Sequence, residues 1–505
     1  MTSPILPLTP TRRWAMSSHL LALSLSFGLM PINLAHAEED RSPSQSTGPI
    51  TALAHLSSLQ GQPTAVVLRT PRVEDFKTKS GTRVLFVAAP ELPIVDIRLT
   101  FDAGSARDVE IGSGLYGLAS LTAQLLDEGT STQSTDQIAA RFETLGAQYS
   151  ASAYRDMFAI DLRSLADANH LNPAVDQLLM LLKDAQFPQN SIDRVFQNAA
   201  IGQRQREESP ATLGSIRFWR ELYGKHPYAE PSSGTQASLR NITPAHIRQF
   251  KDQFLVSGNL NLSITGQLTL KQAKALAEQI TRSLPQGQHA KALPLPLPVT
   301  AAKTIMVNFK STQTHIMMGQ LGLQRNDPDL PALTVGNEVL GGGDFNALLM
   351  KELREKRGMT YGAYSGFSPM RSNGPFTVSY STRADQAAES IRVARQTLKD
   401  YLQQGADPTA LAEAQEGLLN GYPLSLSSNA SINAYLSMMG FYDLPASYLA
   451  DYPKKIAAVT PEAVRAAFSK HVQPDQMLTV VVGQALPPQE DITTPQSAPI
   501  ATNTP

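Results

Sequence analysis

Cysteine is absent from all 505 residues. That removes disulfide cross-links, thiol nucleophiles and thiolate metal sites together, and leaves a bacterial periplasm as the simplest exported compartment. Excess charge of one sign is also missing. The chain has 43 Lys and Arg against 44 Asp and Glu, a formal net charge of −1, so nothing points to nucleic acid as a partner. Histidine is scarce, with nine residues, no two of them at helical or finger spacing, and a catalytic zinc needs about three protein ligands. No run reaches the ~18 apolar residues that a membrane helix requires. Gly341-Gly342-Gly343 lacks the lysine of a phosphate-binding loop and reads as a helix end followed by a turn.

What is present begins with a targeting pattern. Arg12 and Arg13 precede the apolar run Leu20–Leu29, and Ala35-His36-Ala37 has the small-x-small form of a signal peptidase site. The expectation is a cleaved signal over 1–37 and a periplasmic or secreted protein, with both the general and the twin-arginine export routes open. Removing that segment takes away two bases and no acids. Residues 38–70 read as a flexible N-terminal segment, and 487–505, rich in Pro, Thr and Ser, as a disordered tail.

Between these ends the chain reads as two copies of one unit. Thr243-Pro244 opens a helix followed by a strand, Leu260–Thr265, that ends at Gly266-Gln267. Thr460-Pro461 opens another, and its strand ends at Gly483-Gln484 at an unchanged interval. Such a match at the end of both halves indicates an internal duplication. Strand-like alternation at Ile94–Phe101 and His315–Leu323 passes into helical patterns at Ser113–Leu126 and Asp329–Leu340. The fold class expected is α+β: two homologous domains, 71–283 and 304–486, each a largely antiparallel sheet packed with helices. The Leu/Pro alternation within 284–303 suits an extended, semi-rigid linker.

The stretch Gly341–Ser365 reads as helix, turn and strand. Phe345, Leu348, Leu349 and Leu353 are helically spaced, Gly358 ends the helix, and Tyr361, Ala363, Ser365 and Phe367 alternate as a strand. Arg354 in the last turn and Tyr361 at the strand start could meet over one cleft. There a guanidinium fork and a phenol would suit the carbonyls of an extended peptide. The plain alternative is a surface arginine and a half-buried strand tyrosine.

In Ser113–Leu126 the stripe Leu115, Leu118, Ala119, Thr122, Leu125, Leu126 is core, and Ser120, Ala123 and Gln124 lie on the adjoining face. The frame around them, Gly117-Leu118-Ala119 and then Gly129-Thr130, resembles the pitrilysin/insulinase metallopeptidases, which include the mitochondrial processing peptidase. In that family the frame carries His-x-x-Glu-His, two zinc ligands with the general base between them. By the resemblance, Ser120 and Gln124 stand at vacant ligand positions and Ala123 at the base position, with the third ligand position vacant near Ile201 or Gly202 ahead of Arg204–Pro210.

The likeness spans nearly the whole chain after residue 37. It takes in Gly104–Asp108, Leu145-Gly146-Ala147 leading to Ser150–Phe158, Phe218-Trp219, Tyr223, His226-Pro227-Tyr228, Gly234-Thr235 and the intact block Leu353–Tyr361. That block carries the family's Arg/Tyr pair, here Arg354 and Tyr361. Near Ser150–Ala153 the family's Asn-Ala-x-Thr is replaced by Ser-Ala-Ser-Ala, although a strand backbone there can still add a peptide. The resemblance implies a non-catalytic, substrate-binding subunit of a heterodimeric zinc metalloendopeptidase. Such a chain would be inactive alone and bind no cofactor, with zinc in a sister subunit and a peptide substrate held by Arg354 and Tyr361. The alternative is a non-enzymatic peptide-binding or structural core subunit.

Overall fold

Two sheets carry the molecule. The computed structural model describes residues 70–343 and 345–484, so the signal, the N-terminal segment to residue 69 and the tail fall outside the described residues. The first sheet contains β1 (Glu74–Lys77), β2 (Arg83–Ala88), β3 (Ile94–Phe101), β4 (Gln148–Ala153), β5 (Phe158–Leu165) and β6 (Leu260–Gly266), in the order β1-β2-β6-β3-β5-β4. The second contains β7 (Lys303–Asn308), β8 (Gln313–Leu321), β9 (Ala363–Phe367), β10 (Pro375–Arg383) and β11 (Leu478–Gly483), in the order β7-β11-β8-β10-β9. Each is antiparallel apart from one parallel pair, β2 with β6 and β7 with β11. In both, the last strand of its half inserts between two earlier ones, β6 between β2 and β3 and β11 between β7 and β8. The α+β class with two largely antiparallel sheets is therefore as read from the sequence.

The helices that matter below are α1 (Leu118–Leu125), α2 (Gln189–Glu207), α3 (Pro210–Tyr223), α4 (Pro244–Phe254), α5 (Leu330–Gly341), α6 (Asn429–Phe441), α7 (Tyr448–Ala457) and α8 (Pro461–His471). The repeated Thr-Pro signal works as expected. Thr243 accepts from His246 N–H ahead of α4, and Thr460 from Ala463 N–H ahead of α8, with proline at the first helical position each time. Helix α1 starts five residues later than its periodicity suggested, because Gly117 takes the left-handed conformation at φ +94°. Leu115 nonetheless stays in the core.

Each half lends a helix to the other's sheet. Phe218 and Leu222 of α3 pack with Leu478, Val480 and Val482 of β11. Conversely, Leu436 and Met439 of α6 pack with Leu85 and Val87 of β2. Ser437 Oγ of α6 is 2.7 Å from Thr100 Oγ1 of β3. Every residue of β11 is buried, which follows from its cover on both faces and explains its continuous apolar run rather than an alternating one. The connection 284–302 has no helix or strand, but it is anchored. Leu293 and Val299 pack beside Phe218, and His226 Nε2 donates to Pro294 O at 2.8 Å.

A buried polar hub closes the junction of the halves. The carboxylate of Asp156, in the β4–β5 turn, accepts from Tyr228 OH, from Tyr442 OH at 3.0 Å and from Arg371 N–H at 2.8 Å. Ser372 N–H then donates to Tyr228 Oη at 3.2 Å. Arg371 and Tyr442 belong to the second half, so the hub joins residues far apart in the chain.

Candidate functional site

Helix α1 is capped from outside its own run. Asp108 is buried and accepts from Gly117 N–H at 2.8 Å and Ala119 N–H at 2.9 Å. Its preceding residue, Arg107, is committed elsewhere, to Asp102 and Glu110 at 2.7 Å each. Burial therefore outweighs the backbone donors and raises the Asp108 carboxyl to about 8. The apolar stripe of α1 is fully in the core, and this turns Ser120 and Gln124 outward.

Those two residues satisfy each other. Gln124 Nε2 donates to Ser120 O at 3.2 Å and lies 3.4 Å from Ser120 Oγ, while Ala123 is buried. Helix α2 does pack beside α1, so the scaffold for a third ligand is kept. At the expected position, however, Ile201 is 48 % exposed and Gly202 has no side chain. A Cβ on Gly202 would lie 3.6 Å from Arg206 Nη1, and a guanidinium there opposes a dication. A hydroxyl, an amide and a methyl group do not make a zinc site, so the side chains present do not fit zinc.

Beside α1 runs β4, the edge strand of its sheet. Tyr154 N–H bonds back to Met157 O at 2.8 Å. By the antiparallel alternation, Gln148, Ser150 and Ser152 face β5, and the backbones of Tyr149, Ala151 and Ala153 face away. No hydrogen bond to those outward groups is formed among the described residues. The edge is open to a further strand.

Arg354 and Tyr361 come from the second half. Leu348–Met350 is α-helical and runs into a π turn, Lys351–Glu355, in which Lys356 N–H bonds Lys351 O at 3.0 Å. Such turns recur at functional sites. Phe345 lies outside this helix and is 63 % exposed, contrary to the apolar stripe expected of it, and its ring lies 4.9 Å from the Arg354 guanidinium carbon. Glu352 takes Lys356 and Arg357, at 2.6 Å each. That leaves Arg354 with no ion pair or side-chain hydrogen bond among the described residues.

Gly358, at φ +60°, reverses the chain, and its N–H bonds Arg354 O at 2.8 Å. Met359 O accepts from Thr382 Oγ1 at 2.7 Å, and Thr360 Oγ1 donates to Gly362 O at 2.9 Å. The backbone is thus pinned on both sides of Tyr361. Tyr361 itself precedes β9 rather than opening it and is 86 % exposed. No contact joins the two side chains to each other, or either of them to Ser120 or Gln124, among the described residues.

One cluster escaped the sequence because its members are far apart. Asp327, Asp329 and His471 converge, with His471 Nε2 2.9 Å from Asp329 Oδ2. Lys470 Nζ is 2.6 Å from that same oxygen, so Asp329 already has a cation beside it and the group reads as an ion-pair cluster.

Comparison with known proteins agrees with this geometry. The description "Insulinase (Peptidase family M16)" matches residues 83–216, and "Peptidase M16 inactive domain" matches 241–418. A solved structure of a peptidase M16 inactive domain from Pseudomonas fluorescens is 37 % identical, with a TM-score of 0.78, covering 82 % of this chain and 98 % of that one. The Helicobacter pylori protein named "Non-peptidase homolog YmxG" is 26 % identical over 339 residues, 66 % of this chain and 76 % of that protein. The Bacillus subtilis "Uncharacterized zinc protease YmxG" is 23 % identical over 359 residues, 71 % and 86 % respectively. With two M16-type halves in place and Ser120, Ala123 and Gln124 where the zinc triad would stand, the chain belongs to peptidase family M16, the insulinase family, as a non-catalytic member.

Proposed function

We propose that this chain is the substrate-binding subunit of a two-chain zinc metallopeptidase, holding a peptide with Arg354 and Tyr361 while a sister M16 subunit supplies zinc and hydrolysis. The observation that carries this reading is the Arg354/Tyr361 turn. A guanidinium with no ion pair among the described residues, set beside three competing charges, and a tyrosine exposed on a pinned backbone contribute little to the fold. They are displayed at the geometric cost of a π turn and a left-handed glycine. Arg354 can offer two parallel N–H donors to carbonyl oxygens, and Tyr361 an O–H on a rigid ring. The open edge of β4 can align the same peptide by strand addition. This chain itself binds no zinc in this reading, and it works in the periplasm or outside the cell.

The test is reconstitution. The mature chain is mixed with a zinc-binding M16 homologue from the same host, and peptide cleavage is followed with natural, Arg354→Ala and Tyr361→Phe chains. Loss of one donor to the reacting carbonyl costs roughly 10²–10³ in rate at comparable sites, and a fall of at least tenfold is expected from Arg354→Ala. Full cleavage with both variants would remove the clamping role. Zinc analysis of the purified complex should return one ion per pair of unlike chains, and a zinc-free homodimer would favour a peptide-binding module that does not cut.

A further inference from the structure

The second half holds a cavity of about 1500 Å³ that neither Arg354 nor Tyr361 lines. It is larger than the roughly 300–1,000 Å³ of small-molecule sites. Its position is set by the duplication. Helix α5 lies beside edge strand β9 as α1 lies beside edge strand β4, and Thr334, Asn337 and Glu338, at the spacing of Ser120, Ala123 and Gln124, face into it.

The second edge differs from the first in being closed. Asn337 Nδ2 donates to Ser365 O at 2.9 Å and Asn337 Oδ1 accepts from Ser365 Oγ at 2.8 Å. That side chain occupies the outward backbone carbonyl at the middle of β9, so a ligand here cannot be added as a further strand at that point. It must be held by side chains.

The side chains that remain define its chemistry. Tyr435, Tyr448 and Tyr452 of α6 and α7, with Phe367 of β9, supply aromatic walls. The hydroxyls of Tyr448 and Tyr452 make no hydrogen bond among the described residues. The acids of the lining are engaged: Asp327 and Asp329 with His471 and Lys470, Asp443 with Arg371 at 3.6 Å. Glu338 is not free either.

Two cations of the lining, Arg325 and Lys455, have no ion pair among the described residues. The guanidinium of Arg325 is held 5.5 Å from the centre of the Tyr442 ring, and its Nε–H is shielded from water without a hydrogen-bond partner. The charge of this guanidinium is therefore met by no carboxylate among the described residues, and an incoming anion would neutralise it.

From the unpaired Arg325 guanidinium, the aromatic walls and the closed β9 edge we infer that this cavity binds a short apolar peptide segment bearing a carboxylate, with the carboxylate on Arg325. The carboxylate can be a chain terminus or an acidic side chain. This site is independent of the pairing with a zinc-bearing subunit.

Calorimetric titration of the mature chain alone separates the sources. The probes are a five-residue leucine/phenylalanine peptide with a free carboxyl terminus, its C-terminal amide, and that amide with a central glutamate. Binding of the free acid assigns a chain terminus, and binding of the glutamate peptide assigns an acidic side chain. The neutral amide binding as tightly as both, or no binding by any, overturns the inference. Arg325→Gln should weaken the carboxylate probe by about tenfold or more, as for loss of a charge-assisted bond, and Arg325→Lys should restore part of it. Lys455→Gln, at an exposed position that leaves the fold intact, should weaken it several-fold. Unchanged affinity in either folded variant overturns the assignment. The measurement uses no partner subunit, so its failure and the failure of the clamping role are read separately.

Discussion

Asp108 shows how one residue in the family frame earns its place. It caps α1 from nine residues away, and burial without a paired cation raises its carboxyl to about 8. An acid that holds its proton more tightly folded than unfolded loses stability for the fold as pH rises from its unfolded value toward its folded one. Asp127, raised by burial to about 6, acts below that value, and His226 and His315, lowered by burial from 6.5, act below theirs. Between pH 6.5 and 8 Asp108 therefore contributes a downward slope of at most about 1.4 kcal/mol per pH unit. Urea midpoints of the natural chain should fall across that window, and those of Asp108→Asn, which keeps an acceptor for Gly117 N–H, should stay nearly level. Tyr361 makes the opposite case. At 86 % exposure, Tyr361→Ala should change unfolding stability by no more than about 0.5 kcal/mol, measured in the same urea titrations, so any larger effect on cleavage reports on the site. The sequence put Arg354 in the last turn of a helix and Tyr361 at a strand start, whereas Arg354 lies in the π turn and Tyr361 precedes β9. It misplaced Phe345, because helical spacing of apolar residues cannot tell a core contact from a ring recruited by a neighbouring guanidinium.

At the scale of elements, the exchange of α3 and α6 between sheets makes two glycines behave differently. A Cβ on Gly319 of β8 would stand 2.3 Å from Phe376 O and 2.8 Å from Phe218 Cζ of α3. Gly319→Ala must displace backbone or the docked helix, and a loss of about 2 kcal/mol or more is expected. A Cβ on Gly440 of α6 would sit 3.5 Å from Asn261 Cβ, an ordinary contact. There the helix preference for alanine over glycine, about 1 kcal/mol, should make Gly440→Ala neutral to stabilising. Thermal melts of the two variants test the reciprocal docking directly, and equal costs would contradict it. The elements themselves were legible, since Thr-Pro starts and period-two runs are short-range signals. Helix α1 began late because a left-handed glycine is invisible to a count of apolar residues.

At the scale of the whole molecule, the Asp156 hub ties first-half Tyr228 to second-half Arg371, Ser372 and Tyr442. Asp156→Ala leaves two phenols and a backbone N–H without their acceptor, a change expected to cost about 3 kcal/mol. It should also expose the 284–302 connection to limited proteolysis, whereas cleavage unchanged from the natural chain would show that apolar docking alone holds the halves.

The sequence by itself determined the duplication, the antiparallel α+β halves, the missing zinc triad and the place of Arg354 and Tyr361 along the chain. All of these are written in spacings of a few residues, where backbone geometry and side-chain type act locally. Only the tertiary structure decided that α3 and α6 cross to the opposite sheets and that Asn337 closes the β9 edge while β4 stays open. It also decided that Asp327, Asp329 and His471 meet and that Arg325 lines an aromatic cavity with no ion pair among the described residues. Those outcomes depend on contacts between residues tens to hundreds of positions apart, which burial of apolar faces selects and no local pattern encodes.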